Sequence, residues 1–329
     1  MEQLSVGIVG CGRIAQAHLQ ALRNVPELRL AAVCDMNKSA ARQAAAEFAA
    51  PRAFTDYRRM IEELRLDAAI VCTPPVTHPA VVVELLQHGI HVLCEKPLAT
   101  SSDEAQRMSE AARQAERLLV MASKFRFVED IVAAKKLLDA GSLGQAVLLT
   151  LNFCHPVAMN GRWNADPLIS GGGVLMDNGP HVADLARFLC GPITHVQAQC
   201  ARRAQSLAVE DTVHLCFRNA NEILVSADLS WSAPASGDTY LAVSGTGGAL
   251  CVGWSQSRYR LAGDKEWLKL GNGYDKNAAF VRQLTHFAAC ARGAVSSAGV
   301  LQDALASVRV IEAAYHSMAS KCWETVFEV

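Results

Sequence analysis

Residues 4 to 122 repeat one pattern: a short apolar run, a stretch with helical spacing, then another apolar run. The apolar runs lie at 4–9, 30–34, 68–72, 91–94 and 118–122, with a shorter extended piece at 53–54. Between them, 14–23, 38–48, 56–63, 79–88 and 102–116 read as helices. A strand that passes through a helix into a second strand has one favoured crossover, the right-handed one, and it lays the strands parallel. The repetition therefore predicts an α/β domain with a doubly wound parallel sheet.

The pattern changes near residue 123. A helix is expected over 128–140, stopped by Gly141, and then strands at wider spacing: 146–153, 194–201, 211–217, 222–231 and 239–244. Several alternate polar and apolar residues, which suits a sheet with one face against helices. Two helices, 277–292 and 301–321, close the chain. The expected division is a dinucleotide-binding domain over 1–122 and an α+β domain over 123–329, built on a large, mostly antiparallel open sheet. No low-complexity linker separates them.

Charge narrows the function. Lysine and arginine total 31 and aspartate and glutamate 32, so the balance gives no electrostatic case for nucleic acid or an anionic membrane. No apolar segment reaches the roughly 18 residues that a bilayer span needs. The start, MEQLSVGIVGCG, lacks a basic segment followed by a long apolar one, so no signal peptide is expected. Eleven cysteines are scattered singly without a C-x-x-C pair, and a cytoplasmic protein with reduced thiols is the expectation.

The first strand–helix turn reads VGIVGCGRIAQAHL and contains Gly10-x-Gly12-x-x-Ala15. Gly10 allows a tight turn, Gly12 leaves room for a pyrophosphate at the helix N-terminus, and Ala15 permits close helix–strand packing. Gly10, Gly12, Arg13 and Ile14 are the candidate cofactor contacts at this turn. Asp35 ends the second strand, where a carboxylate accepts hydrogen bonds from an adenosine ribose and repels a 2′-phosphate. NAD is expected over NADP, although Lys38 nearby works against that preference.

One further strand, HVLC, runs into Glu95-Lys96-Pro97. A charged pair at the end of a buried strand costs desolvation unless it faces a ligand, and the carboxyl ends of doubly wound strands are where ligands bind. The longer stretch VCTPPVTHPAVVVELLQHGIHVLCEKPLA resembles the signature of the Gfo/Idh/MocA oxidoreductases, the relatives of glucose-fructose oxidoreductase and inositol dehydrogenase. GGGVLMDNGPHVADLARFLCGP is similar to that family's G-G-x-x-x-D-x-G-x-H-x-x-D pattern. Three later segments, VEDTVHLCFRNANEILVSADLSW, VSGTGGALCVG and DALASVRVIEAAYHSMA, extend the likeness over almost the whole chain.

The resemblance implies that Lys96 lies near the nicotinamide and the substrate oxygen. Glu95 is then associated with the cofactor or holds the lysine. Asp177 and His181 stand four apart, one face of a helix if the segment is helical, with Gly179-Pro180 as a possible kink. In the family their equivalents line the active site, whereas that of Asp184 is structural. Thr73, Pro74 and Pro75 resemble the turn beside the nicotinamide ribose, and His78 lies in that turn. Arg126 resembles an arginine near the family's substrate cleft. Trp163 and Asn164 occupy the loop before the glycine run, where either substrate specificity or, for Trp163, a core role resides.

The expected function is hydride transfer between nicotinamide and a secondary alcohol or ketone of a sugar, cyclitol or sugar derivative. Lys96, Asp177 and His181 are its catalytic candidates, and no metal is expected. Two other classes stand beside it: a hydrolase that uses tightly bound NAD for transient oxidation of a sugar, and a non-catalytic NAD-binding sensor. Cofactor retained through purification without net NADH formation marks the first, and loss of the catalytic residues marks the second. A homodimer or homotetramer is expected from the resemblance.

Overall fold

The structure, a computed structural model, describes residues 3–296 and 299–327; residues 1–2 and 328–329, the outer ends of the two expected domains, lie outside them. The chain divides into two units, Met1–Lys124 with Lys276–Leu305, and Phe125–Asp275 with Ala306–Val329.

The first unit begins β1 (Leu4–Val9), α1 (Arg13–Leu22), β2 (Leu28–Cys34), α2 (Lys38–Phe48), β3 (Arg52–Phe54) and α3 (Tyr57–Glu63). It continues through β4 (Ala68–Val71), α4 (His78–Gln87), β5 (His91–Cys94), α5 (Ser102–Ala115) and β6 (Leu119–Met121). The strands form a six-stranded parallel sheet in the order β3-β2-β1-β4-β5-β6. Every residue of β4 is buried, as a strand covered on both faces requires. Polar side chains start the helices: Asn37 accepts from the N–H groups of Ser39 and Ala40, Asp56 from Arg58, and Ser101 from Glu104. Strand order reverses between β1 and β4, which opens a ligand crevice past Val9 and Val71.

The second unit holds α6 (Glu129–Asp139), β7 (Ala146–Cys154), the short α7 (Pro167–Ser170) and α8 (Val174–Cys190). Its strands continue with β8 (Ile193–Cys200), β9 (Thr212–Asn219), β10 (Leu224–Ser230) and β11 (Thr239–Gly245). After them come β12 (Gly248–Gly253), β13 (Ser257–Leu261) and β14 (Leu268–Gly271). The chain then runs through α9 (Lys276–Ala291), α10 (Val300–Ser320) and β15 (Glu324–Thr325). Nine strands pair as β14-β13-β12-β11-β7-β10-β9-β8-β15, antiparallel except for β7 with β10. Side chains alternate across this sheet: Leu149, Leu151, Phe153, Val225, Ala227 and Leu229 are buried, while Leu148 and Leu224 on the other face are exposed.

Three features lie outside the sequence reading. Strands β12 to β14 are short, and SRYRL and LKLG carry as many polar as apolar residues, so periodicity did not separate them from loops. Helix α9 joins the first unit, not the second: Phe280, Leu284 and Phe287 enter the core that Ala15, Leu19 and Leu22 of α1 also line. An amphipathic stripe shows that a helix packs, not which core receives it. Helix α8 runs unbroken through Gly179-Pro180, where Gly179 has no space for a side chain: a Cβ would stand 2.6 Å from Ile311 Cδ1. None of the described helices is long and apolar enough to cross a membrane.

Candidate functional site

In the first unit the candidates gather at the carboxyl ends of the central strands. Gly10 has φ +93°, and a Cβ there would stand 2.7 Å from the backbone C and O of Cys72, so only glycine fits between β1 and β4. Gly12 is the N-cap of α1, with no side-chain cap and nothing within 4 Å of an added Cβ. Helix α1, opened by Arg13 and Ile14, thus presents its first N–H groups and the positive end of its dipole beside open space. Asp35 is tied to this turn: Oδ2 accepts the Cys11 N–H at 2.7 Å and Oδ1 the Asn37 N–H at 2.8 Å. Burial and the Asp35 charge push the Cys11 thiol up to about 12, so it adds no negative charge where an anion would bind. An uncapped helix, an open glycine and a ribose-type carboxylate on one crevice suit a dinucleotide.

The next strand ends supply the rest of the turn. Pro75–Thr77 forms a short 3-10 segment, and the Thr77 hydroxyl donates to Thr73 Oγ1 or the Pro74 carbonyl, each at 2.7 Å. His78 is fully buried, with Nδ1 2.9 Å from the Pro97 carbonyl and Nε2 2.8 Å from the Thr73 carbonyl. Burial lowers its pKa, against the pull of those carbonyls and of Glu95. His78, offered by the sequence as a cofactor contact, has both ring nitrogens against the chain's own carbonyls, which braces the turn. Glu95 is also buried, with Oε1 2.8 Å from His18 Nε2 and Oε2 accepting the Lys96 N–H. Burial alone would raise the Glu95 carboxyl; His18, with Lys96 and Lys124, outweighs it and holds the group below its ordinary range. Lys96 is half-buried, and its peptide bond to Pro97 is cis.

In the second unit the site residues ride on α8. The glycine run before it is dictated by crowding: a Cβ on Gly172 would lie 1.9 Å from the Tyr315 hydroxyl, and one on Gly173 2.0 Å from the Glu210 carbonyl. Gly173 offers the helix no cap, and Glu210 supplies one from another segment. Its Oε1 accepts the N–H groups of Gly173 and Leu175 at 2.9 and 3.1 Å and the Tyr315 hydroxyl at 2.9 Å. Asp177 follows in the first turn, half-buried, and His181 one turn later is 6% exposed. The His181 ring meets Phe125 edge-on at 4.9 Å and stacks on Phe153 at 6.4 Å, which orients the imidazole.

Asp184, one turn beyond His181, is buried and paired with Arg126, whose Nε reaches both carboxylate oxygens at 2.9 Å. Arg126 also lies over the Phe188 ring. This pair gives Arg126 a partner on α8. Trp163 is 44% exposed, not a core residue. With Asn160, Arg162 and Asp166 it lines an open depression whose other wall includes Ser206 and Leu207. Asn164, beside it, is half-buried.

Two residues escaped the sequence reading. His18 lies on the buried stripe of α1 among Ala15, Leu19 and Leu22, and that misplaced polarity was the available signal. Glu210 belongs to an acidic pair just before β9, where nothing local tells a cap for a distant helix from a solvated loop.

Residues 4–123 match the model of an oxidoreductase family with an NAD-binding Rossmann fold, and residues 131–251 match the GFO/IDH/MocA C-terminal domain. The chain belongs to the Gfo/Idh/MocA oxidoreductases. Its N-terminal domain is the family's NAD-binding domain. Inositol 2-dehydrogenase 2 of Saccharopolyspora erythraea is 32% identical over 232 residues, 69% of this chain and 66% of that protein. The rhizopine catabolism protein MocA of Rhizobium meliloti is 26% identical over 323 residues, 95% of each chain. Among solved structures, levoglucosan dehydrogenase in complex with NADH superposes with a TM-score of 0.90 at 22% identity, covering 100% of both chains, a likeness of fold.

Proposed function

We propose that this oxidoreductase transfers a hydride between NAD and a secondary alcohol of a polyol: a sugar, a cyclitol or a sugar derivative. The observation that carries the reading is the crevice at Gly10, Gly12 and Asp35, fit for a dinucleotide, in a chain that also holds Lys96, Asp177 and His181. The names of its relatives support the substrate class, for they include inositol, levoglucosan and D-glucoside dehydrogenases. NAD, when bound, supplies the redox chemistry at its nicotinamide. The protein's own residues handle the proton. In the oxidative direction His181 accepts the hydroxyl proton, Asp177 orients or tunes His181, and Lys96 donates a hydrogen bond to the same oxygen and helps relay the proton. Thr73 and Pro74 bound the nicotinamide side of the turn that His78 braces, and Trp163 and Asn164 contribute to substrate choice.

The same reading makes the protein a cytoplasmic homodimer or homotetramer. Leu148 and Leu224 are register partners on the open face of the nine-stranded sheet, 43% and 49% exposed, an apolar patch that a second copy would cover. Activity is tested by NADH absorbance, with NAD and NADP in parallel, against free sugars, inositols and sugar glycosides. NADH formation with one compound, abolished in Lys96→Ala, supports the reading. Silence across the panel in both directions, with NAD binding intact, refutes it.

A further inference from the structure

On β9, Val213, Leu215 and Phe217 are buried, and His214 and Cys216 stand on the opposite, outward face of the sheet. Across the ladder Asp228 is the register partner of His214, and Ser226 that of Cys216. His214 Nδ1 lies 2.8 Å from Asp228 Oδ1, and its Nε2 lies 3.5 Å from Cys216 Sγ. A carboxylate only accepts, so Nδ1 carries the hydrogen of the first bond, and the neutral ring keeps its lone pair on Nε2, beside the thiol. A nitrogen lone pair and a sulfur atom thus stand together, with a carboxylate behind the imidazole, the arrangement found around metal-bound histidines. Zinc ligand distances of about 2.3 Å to sulfur and about 2.0–2.1 Å to nitrogen set two tetrahedral ligands about 3.5 Å apart, which is the spacing of Sγ and Nε2.

On the other side, β8 places Gln197 and Gln199 in register with this pair, so no cation adjoins it there. Arg218, the next outward residue of β9, lies over the Trp323 ring. Burial and the Asp228 charge push the Cys216 thiol up, so it keeps its proton until a cation displaces it. Among the described residues of one chain, no third His, Cys, Asp or Glu completes a metal-binding group.

We propose that His214 and Cys216 are one half of a zinc site, completed by the same two residues of a second copy. The inference rests on the reading that this sheet face meets a second copy. Leu148 and Leu224 lie on it, and Leu224 is the register partner of Arg218, two residues beyond Cys216. Sheets packed face to face stand about 10 Å apart, so a cation midway lies about 5 Å from either backbone, within reach of both side chains. A two-fold axis through the metal makes the ligand set two cysteines and two histidines, closed and four-coordinate, as in structural zinc sites. Each zinc bound releases the two thiol protons to solvent. Its part is assembly, not hydride transfer.

The full chain, stripped with a chelator and kept reduced by a phosphine, is titrated with cobalt(II) as a spectroscopic stand-in for zinc. Its mass is followed by light scattering with and without zinc chloride. The expected result is a thiolate-to-cobalt charge-transfer band that saturates at one cobalt for two chains, and a dimer that zinc stabilises against dilution. Cys216→Ser and His214→Phe are expected to abolish the band. Cys154→Ser, which removes another outward thiol of the sheet, is expected to leave it in place. Asp228→Asn is expected to weaken cobalt binding about 10–100-fold, by loosening the histidine. No band, a band that Cys216→Ser leaves unchanged, or saturation at one cobalt per chain on a monomer overturns the proposal. A metal-free dimer that gives no band overturns the zinc site and leaves the dimer reading standing. A chain that stays monomeric with and without zinc refutes both.

Discussion

Tyr315→Phe should loosen the start of α8. The hydroxyl donates to Glu210 Oε1 at 2.9 Å, on the same oxygen that accepts the Gly173 and Leu175 N–H groups. Burial and the Glu210 charge both raise the phenol pKa, so the hydroxyl stays a donor through the ordinary pH range. Phenylalanine keeps the ring and removes one hydrogen bond to a charged acceptor, a loss of about 1.5–2 kcal/mol. Glu210→Ala strips the acceptor from three buried donors at once; with partial relaxation the loss is about 3–5 kcal/mol. For a domain of this size each kcal/mol moves the melting temperature by about 2–4 °C, which puts Tyr315→Phe roughly 3–8 °C below the parent. Differential scanning calorimetry of both single variants and the double variant completes a cycle. The double variant is expected to melt with Glu210→Ala, because the hydroxyl has nothing left to bond. Asp177 and His181 follow in the next two turns, so kcat is expected to fall in Tyr315→Phe with affinity for NAD unchanged. A melting temperature within about 1 °C of the parent, or losses that simply add in the double variant, would refute the reasoning.

Gly10→Ala forces a side chain into a left-handed backbone against the Cys72 carbonyl, and strain of about 2–4 kcal/mol is expected to weaken NAD binding more than thirtyfold by calorimetric titration. Asp35→Ala should narrow the preference for NAD over NADP at least about tenfold in kcat/KM, by removing the repulsion of a 2′-phosphate. His78 is buried with a lowered pKa, so below its ordinary value of about 6.5 the unfolded chain binds the extra proton and stability falls as pH drops. Melting temperature should therefore decline from pH 7 to 5, and His78→Asn should flatten that slope. Leu148→Lys sets a charge on the open sheet face and is expected to yield monomers by light scattering; an unchanged mass would move the interface elsewhere.

Much of the first unit was legible in the sequence because its signals are local. Gly10 and Gly12 sit at fixed spacing between a strand and a helix, and the central strands are apolar runs bounded by turns. The second unit was harder for the opposite reason. Its strands β12 to β14 alternate over only four to six residues, and ladder pairing with the neighbouring strands, not local composition, makes them strands. Site residues divide in the same way. Lys96, Asp177 and His181 belong to short motifs, whereas His18 and Glu210 act on groups 77 and 35–37 residues away.

By itself the sequence determined that the chain begins as a doubly wound sheet with a dinucleotide turn, since strand–helix alternation and two glycines leave little other choice. Only the tertiary structure decided how Lys96 and α8 are held. The Glu95 carboxylate turned toward His18, and Tyr315 and Glu210 crowded the glycine run. It also decided that α9 completes the core of the first unit. Hydrogen bonds and close packing between residues distant in the chain carry no periodicity, so they become visible only once the fold brings their partners together.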